Sequence, residues 1–178
     1  VPLNSRLTVD EIDFQLRQSD CDYLLPYGTT DMLAALRERG HNIANLPVKI
    51  KKQVTFQADE IELDQPILIV HTSGTSGQPK GATLSYGNVF YSAMASAYRI
   101  GHMPHDKWLC VLPLYHVGGL SILIRAVLYG ITVDLYEKFD VDTINHALTH
   151  DDVTLISLVP TMLYRLLEKR SEAWNPLF

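Results

Sequence analysis

A chain of 178 residues that is 47% hydrophobic and 20% charged can build one domain with a substantial core, and is too apolar to be a disordered segment. Its net charge of −5, with no basic run beyond Lys49, Lys51 and Lys52, argues against a nucleic-acid surface. Cys21 and Cys110 lie far apart and fit neither a disulfide framework nor a metal motif. Cys110, inside the apolar run 108–112, reads as a reduced core thiol, which points to a cytoplasmic compartment.

The first ten residues lack the basic start and apolar core of a signal peptide. The chain opens on Val1 and not on methionine, which suggests a processed chain or a piece of a longer one. Thr8-Val-Asp-Glu11 is a capping box, since Thr8 can accept from the N–H three residues on while Glu11 reaches back. Ile12 and Leu16, with Phe14, then supply the apolar face of a helix ending near Asp20. Residues 22–26 read as a short strand, and 30–38 as a helix carrying Met32, Leu33 and Leu36 and stopped by Gly40. Residues 54–56 form an expected edge strand, and acidic residues and turn formers make 57–66 a connector.

The aliphatic run 67–70 reads as a short, fully buried strand leading into a polar loop. Beyond the loop, Ser85 can cap a helix over 88–100 that ends at Gly101. A strand at 108–112 stops at Pro113, a helix follows at 119–128, and Gly130 turns into a strand at 131–136. The window 117–136 is the most apolar, yet it carries Arg125 and several glycines, so it reads as a buried helix and strand and not as a membrane span. Asp140 or Asp142 starts a helix over 144–148, residues 153–159 read as a strand, and Pro160 precedes a helix over 161–169. Strands alternating with helices imply an α/β fold, a mostly parallel sheet flanked by helices.

The loop carries chemistry suited to phosphate. Gly74, Gly77 and Gly81 let backbone N–H groups approach an anion, since glycine has no Cβ to obstruct them. Thr72, Ser73, Thr75 and Ser76 add hydroxyl donors, and Lys80 adds a compact charge with three N–H groups. The spacing is not GxxxxGK[ST]: counted from Gly74, the second glycine falls at Pro79, and Lys80 precedes Gly81. A phosphate would therefore be wrapped differently here, and the bland alternative is a flexible surface turn.

Leu112-Pro-Leu-Tyr-His-Val-Gly-Gly119 places Tyr115 and His116 after a strand and before a helix, where ligands bind in open α/β sheets. On spacing alone, His116 can donate to a helix terminus, stack on a substrate, gate a channel or face the core. Nine residues on, Arg125 sits among Ile, Leu, Ala and Val, so its guanidinium either snorkels to the surface or pairs with a carboxylate. His146 and His150 share a helix face with no third ligand nearby, and His102 and His105 flank Met103-Pro104 in a turn, so no metal site is read here. There is neither a GxSxG elbow nor a GxGxxG after a strand.

Ten consecutive residues, Thr72-Ser-Gly-Thr-Ser-Gly-Gln-Pro-Lys-Gly81, resemble the signature loop of the adenylate-forming superfamily of acyl-CoA synthetases, luciferases and peptide-synthetase adenylation domains. In that family the loop holds the β- and γ-phosphates of ATP. The resemblance implies that Thr72, Ser73, Thr75, Ser76 and Lys80 are side-chain contacts, with Gly74, Gly77 and Gly81 permitting backbone approach. PLYHVGG is similar to the family's PL[FY]HxxG motif, which implies that Tyr115 and His116 line the acyl pocket and that His116 lies where acyl group and thiol meet. Along the whole chain the resemblance is to bacterial o-succinylbenzoate–CoA ligases of menaquinone synthesis, and it implies that Arg125 faces the aromatic carboxylate.

The implied activity is that of an ATP-dependent acid–thiol ligase with Lys80 and His116 as catalytic residues, using ATP, Mg²⁺ and coenzyme A on a small carboxylic acid. No nucleic acid and no membrane span are expected, and self-association into a homo-oligomer stays open. The resemblance covers only the middle of such an enzyme. It implies that the first βα units, the adenine- and ribose-binding part, the magnesium-binding Glu and the C-terminal domain with its lysine lie outside these residues. An adenylation module serving a carrier protein, or a folded but inactive piece, are the alternatives.

Overall fold

The computed structural model describes residues 1–25, 29–44, 60–72 and 79–174. The chain divides into two compact units, Val1–Gly87 and Asn88–Phe178.

In the first unit the capping box forms as expected. Glu11 N–H donates to Thr8 Oγ1 at 3.3 Å, the Glu11 carboxylate accepts from Thr8 N–H at 2.8 Å, and helix α1 runs Val9–Gln18. Ile12 and Leu16 of α1 pack against Leu36 of α2 (Thr30–Glu38), which Thr29 caps through Met32 N–H and which Gly40 terminates at φ 91°. The third buried residue of α1 is Gln15, while Phe14 is only half-buried. Asp13 joins the two helices: its carboxylate meets Arg17 at 3.0 Å, His41 at 2.6 Å and Arg39 at 3.8 Å.

The strand expected over 22–26 reduces, among the described residues, to one parallel bridge between Leu24 and Ile43, with Pro26 outside them. Tyr23 and Leu25, on either side of that bridge, are exposed, so no packing extends the pairing. The expected edge strand at 54–56 lies outside the described residues.

Strand β1 (Pro66–Thr72) pairs antiparallel with β2 (Lys80–Ser85) in a two-stranded ribbon. This corrects the expectation of a fully buried strand: only Val70 is buried and Ile67 is 38% exposed. The reason is the partner, because β2 is a largely exposed strand that covers one edge of β1 and neither of its faces.

The second unit holds a parallel sheet in the order β4-β3-β5, from Thr132–Leu135, Lys107–Cys110 and Leu155–Ile156. Successive residues of β3 point to opposite faces. Trp108 and Cys110 meet Ile122 of α4 (Val117–Tyr129), whereas Leu109 packs with Ile144 and Leu148 of α5 (Val141–His150) and Leu166 of α6 (Pro160–Lys169). The fold is α/β, with its parallel sheet between helices.

Element boundaries shift for local reasons. Helix α3 (Tyr86–Ile100) starts two residues before the expected 88, where Tyr86 and Gly87 N–H groups donate to Gln65 and Leu63 carbonyls at 3.0 and 2.6 Å. Asp140 is the cap of α5, accepting from Thr143 N–H at 2.9 Å. The strand expected over 153–159 shortens to two residues. Thr154 Oγ1 is engaged by Asp106 at 2.8 Å and Lys107 N–H at 3.0 Å, and Ser157 Oγ accepts from the Trp108 indole at 3.2 Å. Among the described residues no helix is long and apolar enough to cross a membrane.

Candidate functional site

The ribbon fixes both stems of the phosphate-type loop. Thr72 is in register with Lys80, and the Thr72 hydroxyl donates to the Lys80 carbonyl at 3.3 Å. Both residues are exposed at the end of the ribbon from which the loop departs, and as a cross-strand pair they stand side by side there. Ser73, Gly74, Thr75, Ser76 and Gly77 lie outside the described residues. Gly81 has a steric reason to be glycine. A Cβ there would lie 2.8 Å from Ile69 Cγ2 and 3.5 Å from His71 Nε2.

His71, in register with Gly81, was not singled out by its residue type, although it is the first polar side chain to end the aliphatic run of β1. Its Nε2 lies 3.4 Å from Ser19 Oγ, and Nδ1 is buried without a partner among the described residues. Burial lowers its pKa below the ordinary value of 6.5, because an imidazolium there would lose its solvation.

In the second unit the chain leaves β3 through a tight turn in which His116 N–H donates to Pro113 O at 3.1 Å. His116 is the N-cap residue of α4 by backbone (φ −97°, ψ 143°) and makes no side-chain cap hydrogen bond. Of the readings open for His116, donation to the helix terminus is therefore not what the structure shows; its ring packs against Tyr115 instead, with centroids 4.6 Å apart. Gly119 makes the turn feasible: a Cβ would collide with Pro113 O and come within 2.7 Å of Leu112 O. Cys110 is buried below this turn, and burial raises its thiol pKa above the ordinary 9.0, so it is a core residue and not a nucleophile.

Arg125 on α4 is half-buried. Its Nη2 donates to Ser92 Oγ of α3 at 3.3 Å, and its Nε is closed off from solvent without an acceptor among the described residues. The hydrogen bond to Ser92 is itself exposed and only Nε is withdrawn from water, so the snorkelling and the carboxylate-pairing readings both stay open. The remaining histidines behave as solvated or stacked groups. His146 and His150 stack at 4.4 Å on an exposed face, and His102 stacks on Tyr129 at 4.4 Å. Among the described residues no group of His, Cys, Asp or Glu could hold a metal ion.

The AMP-binding enzyme family matches residues 1–176. The 2-succinylbenzoate–CoA ligase of Bacillus pumilus (strain SAFR-032) is 39% identical over 181 residues, covering 99% of this chain and 36% of that protein. The o-succinylbenzoate CoA synthetase (MenE) of Bacillus subtilis, solved with the acyl-adenylate intermediate OSB-AMP, superposes with a TM-score of 0.83 at 34% identity. That match covers 96% of this chain and 45% of the solved one. The same enzyme with ATP and magnesium ion gives a TM-score of 0.82 at 34% identity, covering 96% and 36%. The chain thus spans about a third of the length of the curated relatives it matches (36% of the Bacillus pumilus enzyme).

Proposed function

The chain belongs to the AMP-binding enzyme family, and from that premise we propose that the intact protein is an ATP-dependent carboxylate–CoA ligase acting on o-succinylbenzoate in the cytoplasm. In the first step a carboxylate oxygen of the acid attacks the α-phosphorus of ATP, and pyrophosphate leaves with the bonding electron pair. In the second, the coenzyme A thiolate attacks the acyl carbonyl and AMP departs. Thr72, Ser73, Thr75, Ser76 and Lys80 take the leaving phosphates, with Gly74, Gly77 and Gly81 allowing the backbone approach. The exposed Lys80 and Thr72 at the ribbon's loop end support this assignment. Such a step needs positioning and charge neutralisation more than covalent help from the protein. Magnesium supplies further neutralisation of the triphosphate when bound.

Tyr115 and His116 line the acyl group's path in this reading, and Arg125 answers the second, aromatic carboxylate. The observation that carries the substrate assignment is Arg125 itself: half-buried on α4, with one N–H closed off from water and without an acceptor among the described residues. A buried charged donor without an acceptor is costly, and an anionic ligand removes that cost. The adenine, ribose and magnesium-carboxylate contacts, and the C-terminal lysine, are assigned to segments outside these 178 residues.

The test is acid-dependent exchange of pyrophosphate into ATP by the intact protein, followed by thioester formation. o-Succinylbenzoate should drive exchange well above an analogue lacking the aromatic carboxylate, and coenzyme A should then be acylated. Exchange that ignores the second carboxylate would overturn the substrate assignment. A thioester formed on a carrier protein and never on coenzyme A would turn the reading to an adenylation module.

A further inference from the structure

Helices α3 and α4 are tied together at two adjacent points. Tyr129, one turn beyond Arg125 on α4, donates its hydroxyl to Ala93 O of α3 at 2.5 Å. Next to Ala93, Ser92 accepts from Arg125 Nη2 at 3.3 Å, and it is the one hydrogen-bond partner of that guanidinium among the described residues. Residues 125 and 129 share a helix face at i, i+4, as the double tie requires. The aromatic anchor fixes the helices, and the serine fixes the rotation of the guanidinium. A free arginine stem would lose its orientation to solvent, since its rotamer entropy is large.

We propose that Ser92 is a specificity-determining positioning residue, which holds the Arg125 guanidinium in place for a second carboxylate and itself contacts that carboxylate. The chemistry fits one hydroxyl doing both. While Ser92 Oγ accepts from Arg125, its own hydrogen remains available to donate, and Ser92 is exposed on α3. An anion reaching Arg125 therefore meets a charged fork and a neighbouring O–H together. A monocarboxylic acid, whose carboxylate is consumed in adenylation, gains nothing from either. The serine thus sets the discrimination between acids with and without the extra carboxylate, and rests on the reading of Arg125 as the anion clamp.

The experiment measures, in the intact enzyme, the ratio of kcat/KM for o-succinylbenzoate to that for its analogue lacking the aromatic carboxylate. Wild type, Ser92→Ala, Ser92→Thr and Arg125→Ala are compared. Ser92→Ala should reduce the ratio about five-fold or more, chiefly through KM of the dicarboxylic acid, as expected for one lost hydrogen bond to a charged group. Ser92→Thr keeps the hydroxyl and should restore most of the ratio. Arg125→Ala should collapse it. A ratio that falls in Arg125→Ala but not in Ser92→Ala overturns the role of Ser92 while the clamp stands. An unchanged ratio in Arg125→Ala overturns the clamp, and Ser92 with it. Equal losses for both acids in Ser92→Ala, unrepaired by threonine, reduce Ser92 to a packing contact and overturn the proposal.

Discussion

Lys80 begins a strand, and this matters for how its charge can act. Its backbone is held by register with Thr72 and by the Thr72 hydroxyl, while its side chain is exposed at the ribbon's loop end. In the intact enzyme Lys80→Ala should leave acid binding nearly unchanged and slow single-turnover adenylation, because the charge it meets grows as pyrophosphate departs. Removing one such contact costs about 2–4 kcal/mol in the transition state. An unchanged adenylation rate would withdraw Lys80 from the site. At this scale the sequence was most readable as family membership, through the consecutive letters from Thr72 to Gly81. It was silent where a role depends on a distant partner. His71 finds Ser19 from 52 positions away, and Arg125 finds Ser92 from 33, so neither pairing has any local signature.

Among the elements, helices were the legible ones, because their caps are local. Thr8, Asp140, Gly40 and Gly130 each mark a boundary through an interaction within a few residues. Strand limits were less legible, since pairing partners set them. Lys80-Gly-Ala-Thr-Leu-Ser has no apolar alternation of its own and becomes β2 only against β1. The strand over 153–159 lost most of its length to side chains that bond across to Asp106, Lys107 and Trp108. The turn between β3 and α4 allows a sharp prediction at this scale. Gly119→Ala pushes a methyl group into Pro113 O and Leu112 O, both backbone atoms that cannot rotate away. Thermal or chemical unfolding should show a loss of about 1–3 kcal/mol, the usual cost of overpacking. Activity should fall further than stability requires, because the same turn carries Tyr115 and His116. A variant as stable and active as the wild type would show that the turn has room it does not display.

For the whole molecule, the shifted groups define a stability window. The folded state depresses the pKa of His71 by burial, so its contribution is complete above the ordinary value of 6.5 and is lost as pH falls through the folded one. Three carboxylates act in the same direction at lower pH. Asp13 is held down by its hydrogen bond from His41, Glu11 by the Thr8 N–H and Asp140 by the Thr143 N–H. Cys110 has the opposite sign: burial raises its pKa, so its contribution is intact below 9.0 and is lost as pH rises through the folded value. Tyr136, raised mainly by burial, adds to that loss from 10.0 upward. Denaturation midpoints should therefore be flat from 6.5 to 9.0 and decline on both sides. A midpoint that rose on acidification through 6.5 would contradict the buried neutral form of His71.

The strand order of the parallel sheet also bears on how the chain gets there. Strand β3 is central, yet its two neighbours arrive at different distances along the chain. The segment separating Trp108 from Leu155 is roughly twice as long as the one separating Lys107 from Thr132. Doubling a closed loop adds only about 0.6 kcal/mol of entropy, so the difference is small in the finished fold. It is decisive in time, because non-local pairings must be closed before they are rewarded. During synthesis, the parallel β3-α4-β4 unit can bury Trp108 and Cys110 on Ile122 before α6 has been made. The opposite face of β3, with Leu109 at its centre, has to wait for Leu166. That interval leaves one side of the central strand open to a second chain, which makes the arrival of α6 the point in biosynthesis where this unit is most exposed to misassembly.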